Sequence, residues 1–245
     1  MRLLALLVLS LTVVLASLTL PASARPSAAQ ESTPASDPAG TPTPFTGETY
    51  VGETSDPETF VAVVVAGAAG DEERQARAYL CNAATIDVWL MGTLTGEQLA
   101  LQTEDGARLD GTRGEAGVEG TATLADGTSL TFTAQPATGL AGLYTLAIDE
   151  EGQLRGASST GGELAGRVEA GVSVPTGTPA PGFRLVMTVT SPEGETTELE
   201  ATALPATEVE EGTARLIVRE DGQLRGKRTK ESKGDQGFID PTTDL

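Results

Sequence analysis

One unit is written more than once in this chain. LAIDEEGQLRG at 146–156 returns seventy residues later as LIVREDGQLRG at 216–226. A weaker pair links TATLADGTSLTFTAQPAT at 121–138 with TVTSPEGETTELEATALPAT at 188–207, matching Phe132 to Leu199. EDGARLDG at 104–111 is a third, looser copy. Each copy reads strand, acidic residue, Gly, strand. Gly supplies the positive φ of a tight hairpin turn without a Cβ clash, and the chain has a single Asn to do the same work.

The segments between the turns alternate with period two, as half-buried strands must. Val118 and Ala122 share one face with Leu124, while Thr121 and Thr123 share the other; Leu130, Phe132 and Ala134 follow across the turn. The same alternation carries Leu164, Val168, Ala170, Val172 and Val174, then Phe183, Leu185, Met187 and Val189. No window shows a helical period. The fold class expected is therefore all-β: an antiparallel meander of short strands with acidic-Gly hairpins, closed as a barrel or paired as a sandwich, with an internal repeat. In QLRG, Leu154 and Leu224 point inward and Arg155 and Arg225 outward.

The flanks differ in kind. Met1-Arg2, the apolar run 3–20 and Ala22-Ser23-Ala24 read as a signal peptide over 1–24, with cleavage after Ala24 or Ala29. A retained membrane anchor is the alternative. Residues 25–47, rich in Pro, Ser and Thr, read as a disordered linker. Residues 227–245 read as a polar disordered tail that holds all three lysines. The β domain spans 48–226, with an internal boundary expected near VPTGTPAPG, 174–182. Both flanks are charge-neutral, so the net charge of −19 falls on 48–226. So acidic a domain repels nucleic acid and anionic membranes, and marks an exported, soluble surface.

Composition removes most catalytic schemes. Without histidine there is no Ser-His-Asp triad, no His general base and no His metal site. One cysteine cannot form an intramolecular disulfide, and the domain has no lysine for a Ser-Lys dyad. Neither a phosphate-binding loop nor a calcium loop is present. Carboxylate-dependent hydrolysis remains chemically open. The expectation is a non-enzymatic protein with no cofactor and no metal.

TIDVWLMG at 85–92 stands out, because Asp87, Trp89 and Met91 share one face and Ile86, Val88 and Leu90 the other. Such a strand is buried on both sides or lines something. If it pairs with ARAYLCN at 76–82, Tyr79 and Cys81 join Asp87 and Trp89 in one cluster. Tyr79, Asp87 and Trp89 are the candidate ligand-binding residues, against the alternative that they simply pack a core. Cys81 is read as a small buried hydrophobe, or else as the bridge of a disulfide-linked dimer.

AYLCN, VWLMG, the Phe132-Thr133-Ala134 triplet and AGLY at 141–144 together resemble a pattern in uncharacterised exported bacterial β-rich proteins, over residues 48–145. The resemblance implies an exported module and carries no activity or site. The expected function is a secreted or cell-surface binding or envelope module for an unknown extracellular ligand or protein, with no nucleic acid and no membrane insertion after signal cleavage. A barrel carrier of a small apolar molecule is the first alternative, and a carboxylate-dependent hydrolase the second.

Overall fold

The acidic-Gly turns share one hydrogen-bond scheme. At 149–153, the Gly152 N–H donates to Asp149 O at 2.9 Å and the Asp149 N–H donates to Gln153 O at 3.1 Å. At 219–223 the same two bonds run Gly222 to Arg219 and Arg219 to Gln223, at 3.0 and 2.8 Å. This is the three-residue hairpin loop whose last position must be left-handed, and the glycines comply with φ of 73° and 81°. Turns 103–107, 124–128, 158–162 and 191–195 close with the same pair of bonds. Strands joined by such turns pair as antiparallel hairpins.

The computed structural model describes residues 43–82, 84–149, 151–173, 181–204, 212–229 and 238–240. The first ring is formed by β1 (Glu48–Thr54), β2 (Phe60–Val65), β3 (Glu73–Cys81), β4 (Asp87–Thr95), β5 (Gln98–Gln102), β6 (Arg108–Gly114), β7 (Gly117–Thr123) and β8 (Ser129–Pro136). Each strand pairs with the next, and β8 returns to β1 to close an eight-stranded barrel. The second ring uses β9 (Gly142–Ile148), β10 (Gln153–Ser158), β11 (Glu163–Ser173), β12 (Pro181–Thr190), β13 (Thr196–Leu204), β14 (Gly212–Val218), β15 (Leu224–Thr229) and β16 (Phe238–Asp240). Its order around the barrel is β10-β11-β12-β13-β16-β15-β14-β9. The fold is therefore all-β and antiparallel, as the period-two pattern requires, and of the two closures it is the barrel that forms.

The repeat now has a geometric meaning. Partner pairs Leu154↔Ile148, Arg155↔Ala147 and Gly156↔Leu146 of the β9–β10 hairpin recur as Leu224↔Val218, Arg225↔Ile217 and Gly226↔Leu216 of β14–β15. The two hairpins lie side by side, because β9 pairs with β14 and Thr145 faces Arg215. Those two residues are also equivalent in the repeat, so a local two-fold axis runs through that pair. One sequence unit, used twice about this axis, supplies half of the second ring.

An eight-stranded barrel leaves an interior just wide enough for side chains to fill. Val61, Val63, Leu80, Leu90, Leu109 and Phe132 fill the first ring. Tyr144, Leu146, Leu154, Met187, Leu216 and Leu224 fill the second. A third cluster lies between the rings: Val51, Phe60, Ala62, Val64, Tyr79 and Cys81 from the first meet Leu143 and Ile217 from the second. This explains why all six residues of β2 are buried. Odd positions enter the barrel and even positions enter the junction. Each large apolar side chain so buried contributes about 1.5–3 kcal/mol.

Several expected boundaries move. The first ring ends at Pro136 and the second begins at Gly142. Residues 174–180, in the stretch where the internal boundary was expected, lie outside the described residues, between the hydrogen-bonded neighbours β11 and β12. Within the stretch expected as linker, Phe45 packs against the junction and the Gly47 N–H donates to Ser159 O at 3.3 Å; residues 25–42 lie outside the described residues. The expected tail contributes the end of β15 and all of β16, because the second ring needs an eighth strand to join β13 to β15. The segment 1–24, expected to be a signal peptide, lies outside the described residues.

Candidate functional site

The hairpin β3–β4 is set by Asn82, the only asparagine of the chain. Its Oδ1 accepts the backbone N–H groups of Ala84, Thr85 and Ile86 at 3.0, 2.8 and 2.8 Å. A short side-chain amide satisfying successive N–H groups is what turns the chain here without a glycine. The register that results places Tyr79 opposite Trp89 and Cys81 opposite Asp87. The four residues singled out in the sequence are thus two adjacent cross-strand pairs on one face.

That face points away from the first barrel, toward the second. Tyr79 and Cys81 are fully buried, while Asp87 and Trp89 are half-buried and Met91 beyond them is 46 % exposed. The Tyr79 and Trp89 rings lie 6.0 Å apart and tilted by 53°. Ile86 and Val88 turn the other way, against the ring interior, with Leu90 inside it. The strand is therefore covered on both sides at its start and uncovered on one side toward its end.

Burial is the main influence on the Tyr79 hydroxyl, followed by the nearby Cys81 and Asp87; together they push its pKa far above the ordinary tyrosine value. It stays protonated, yet among the described residues it meets no partner at hydrogen-bonding geometry. Near it stand groups that the sequence reading did not single out. The Arg215 guanidinium carbon, from the second ring, lies 4.9 Å from the centre of the Trp89 ring. The Arg77 guanidinium carbon lies 4.2 Å from the centre of the Phe45 ring. Burial lowers the Arg77 pKa, and the Arg215 charge lowers it further.

At the other end of the junction the pattern repeats with a different ring. Arg219 and Arg225 each place their guanidinium carbon 5.0 Å from the centre of the Phe60 ring. Arg219 pairs with Glu53, and Arg225 Nε donates to Glu58 O at 3.3 Å. A surface groove of about 710 Å³ opens here between β1, β8 and the 219–221 turn, with Glu53, Thr131, Gln135, Arg219 and Asp221 among its walls. The Arg219–Glu53 pair joins its two sides.

The signal for these arginines was in the repeat itself. Aligning the two copies sets Arg215 against Thr145 and Arg219 against Asp149. The second copy carries cations where the first does not, and those cations reach the aromatic rings of the first barrel. Among the described residues, no group of three or more acids or cysteines is placed to hold a metal ion. No family model matches the chain, and neither a curated protein nor a solved structure does.

Proposed function

We propose that this protein is an exported, non-enzymatic binding module whose ligand face lies outside the barrels, at the β3–β4 side of their junction. The observation that carries the reading is the half-buried Trp89. Tyr79, Asp87 and Arg215 surround it, and the exposed Met91 lies beside it on the same face. Large aromatic and arginine side chains in a partly desolvated setting are the usual anchors of recognition surfaces. The ring interiors are filled by their own side chains, so a ligand is sought on this outer face rather than in a central chamber. The absence of histidine from the whole chain supports a binding role over acid–base catalysis. The apolar run at 3–20 followed by Ala22-Ser23-Ala24 supports export.

Trp89 is the only tryptophan, so fluorine-labelled tryptophan puts a single reporter in the site. Small aromatic and polar fragments titrated onto the full-length protein should move that one resonance. The same fragments should leave a Trp89→Phe protein, labelled instead at its tyrosines, unperturbed at Tyr144 in the second core. A resonance that no fragment moves would sink the reading.

A further inference from the structure

The arginines beside Trp89 point to a ligand class. Among the described residues, Arg74, Arg108, Arg113, Arg167, Arg184 and Arg219 all stand in ion pairs with carboxylates. Arg77, Arg215 and the exposed Arg155 do not, in a chain of 35 acidic and 16 basic residues, and of these three it is Arg77 and Arg215 that lie on the β3–β4 side of the junction. Arg77 lies over the Phe45 ring and Arg215 over the Trp89 ring. The register brings them into one neighbourhood: Arg77 faces Met91, the next outward position after Trp89, and Arg215 reaches the Trp89 ring from the second barrel.

Two like charges brought together repel each other, and at Arg77 that repulsion adds to burial, the larger influence, in lowering its proton affinity. Two carboxylates share this face of the β3–β4 pair, and each sits at an end of it: Asp87 across from Cys81 and beside the Tyr79 hydroxyl, and the exposed Glu73 at the start of β3, opposite Thr95. An oxyanion placed between Arg77 and Arg215 would relieve the repulsion and take up N–H donors that no side chain of the described residues uses. Guanidinium forks suit carboxylate, sulfate and phosphate groups. The exposed Met91 and the Trp89 ring offer apolar surface next to that position.

We infer that the Arg77–Arg215 pair is an anion subsite, and that the module takes a small ligand with an oxyanion group on an apolar or aromatic body. The inference rests on the reading of the Trp89 face as ligand-facing. It predicts a local inversion of charge in a molecule that carries −19 overall.

The test uses Trp89 emission in the full-length protein at constant ionic strength. Iodide should quench it with a constant at least about twofold that of caesium, although the whole protein attracts the cation. Arg77→Met and Arg215→Met should each reduce or abolish that preference, and Arg215→Lys should keep it. Benzoate should perturb the emission at lower concentration than its neutral counterpart benzamide, and only the benzoate response should weaken in the Met variants. Equal responses to benzoate and benzamide would overturn the anion subsite while leaving the ligand face standing. Silence toward both, with caesium the better quencher, would remove both.

Discussion

Gly226 lies directly over Leu216, its cross-strand partner, so closely that a Cβ on the glycine would stand 3.1 Å from Leu216 Cα and nearer still to Cδ2. Gly156 and Leu146 repeat the arrangement in the other hairpin, again with 3.1 Å to the leucine Cα. Both leucines are fully buried in the second barrel. The glycine that ends each QLRG is therefore a space requirement of the leucine that opens each repeat.

Gly156→Ala and Gly226→Ala should each destabilise the protein by about 1–3 kcal/mol, the usual result of forcing a methyl into a filled core. Part of the obstacle is backbone, since the added methyl would also crowd the Thr145 or Arg215 carbonyl. Shortening the leucine should consequently rescue only part of the loss. Denaturant midpoints of the single and double variants give the answer, and unchanged midpoints would refute the close-packing account.

The arginines of the two QLRG copies should behave differently. Arg155 is exposed on the outer face of its strand, so Arg155→Ala should shift stability by less than about 0.5 kcal/mol. Arg225 is half-buried over Phe60 and bonded to Glu58 O, so Arg225→Ala should cost about 1 kcal/mol or more. Equal effects measured by urea unfolding would mean that the contact with the first barrel is energetically silent.

Leu143 and Ile217 are cross-strand partners whose side chains enter the junction rather than either barrel. Ile217→Asp would bury a carboxylate among Phe60, Val64 and Tyr79 without touching either ring core. The expected result is loss of the common unfolding transition: two transitions in calorimetry, and protease cleavage within 137–141, where the first ring passes to the second. A single, merely lowered transition would show instead that the rings do not unfold separately.

Much of the barrel was legible in the sequence because turn chemistry and strand period are local properties. Gly152 and Gly222 and the alternation through Val118, Ala122 and Phe132 announce hairpins without knowledge of their neighbours. The pairing of β9 with β14 is not local; it depends on which strand edges remain after each hairpin forms. The same holds for the site. Tyr79, Asp87 and Trp89 were visible as an apolar-polar strand pair, and pairing did bring them together. Phe45, Arg77 and Arg215 were not singled out, because they meet only when one ring docks on the other.

Acid should weaken the end of the first barrel where β1 begins. Glu48 takes Arg74 Nη1 at 3.1 Å and Arg113 Nη1 at 2.9 Å on its carboxylate. Burial raises its pKa, but Arg74, Tyr50 and Arg113 together outweigh that and hold it below 4.5. A depressed folded pKa means that the contribution to stability is present above the unfolded value and is lost as pH falls through the folded one. Glu48→Gln should therefore cost about 1 kcal/mol near neutrality, modest because solvent reaches the carboxylate. The gap to the parent protein should close below about pH 4. Urea midpoints across that range would contradict the assignment if the gap stayed constant.

Cys81 sits where a disulfide between chains would have to open the molecule. It is 0 % exposed, in the junction cluster with Phe60, Tyr79 and Ile217. Thiol reagents and disulfide exchange need an accessible thiolate, and an apolar setting disfavours that form. The native protein should thus react with an aromatic disulfide reagent only on the timescale at which the rings separate, and fully in denaturant. Ile217→Asp, which loosens the junction, should bring the reaction forward while both cores stay folded. Non-reducing electrophoresis of protein kept oxidised should give a monomer. Rapid labelling of the native parent, or a dimer that reduction dissolves, would place Cys81 at the surface and break the account of the junction on which Tyr79, Asp87 and Trp89 depend.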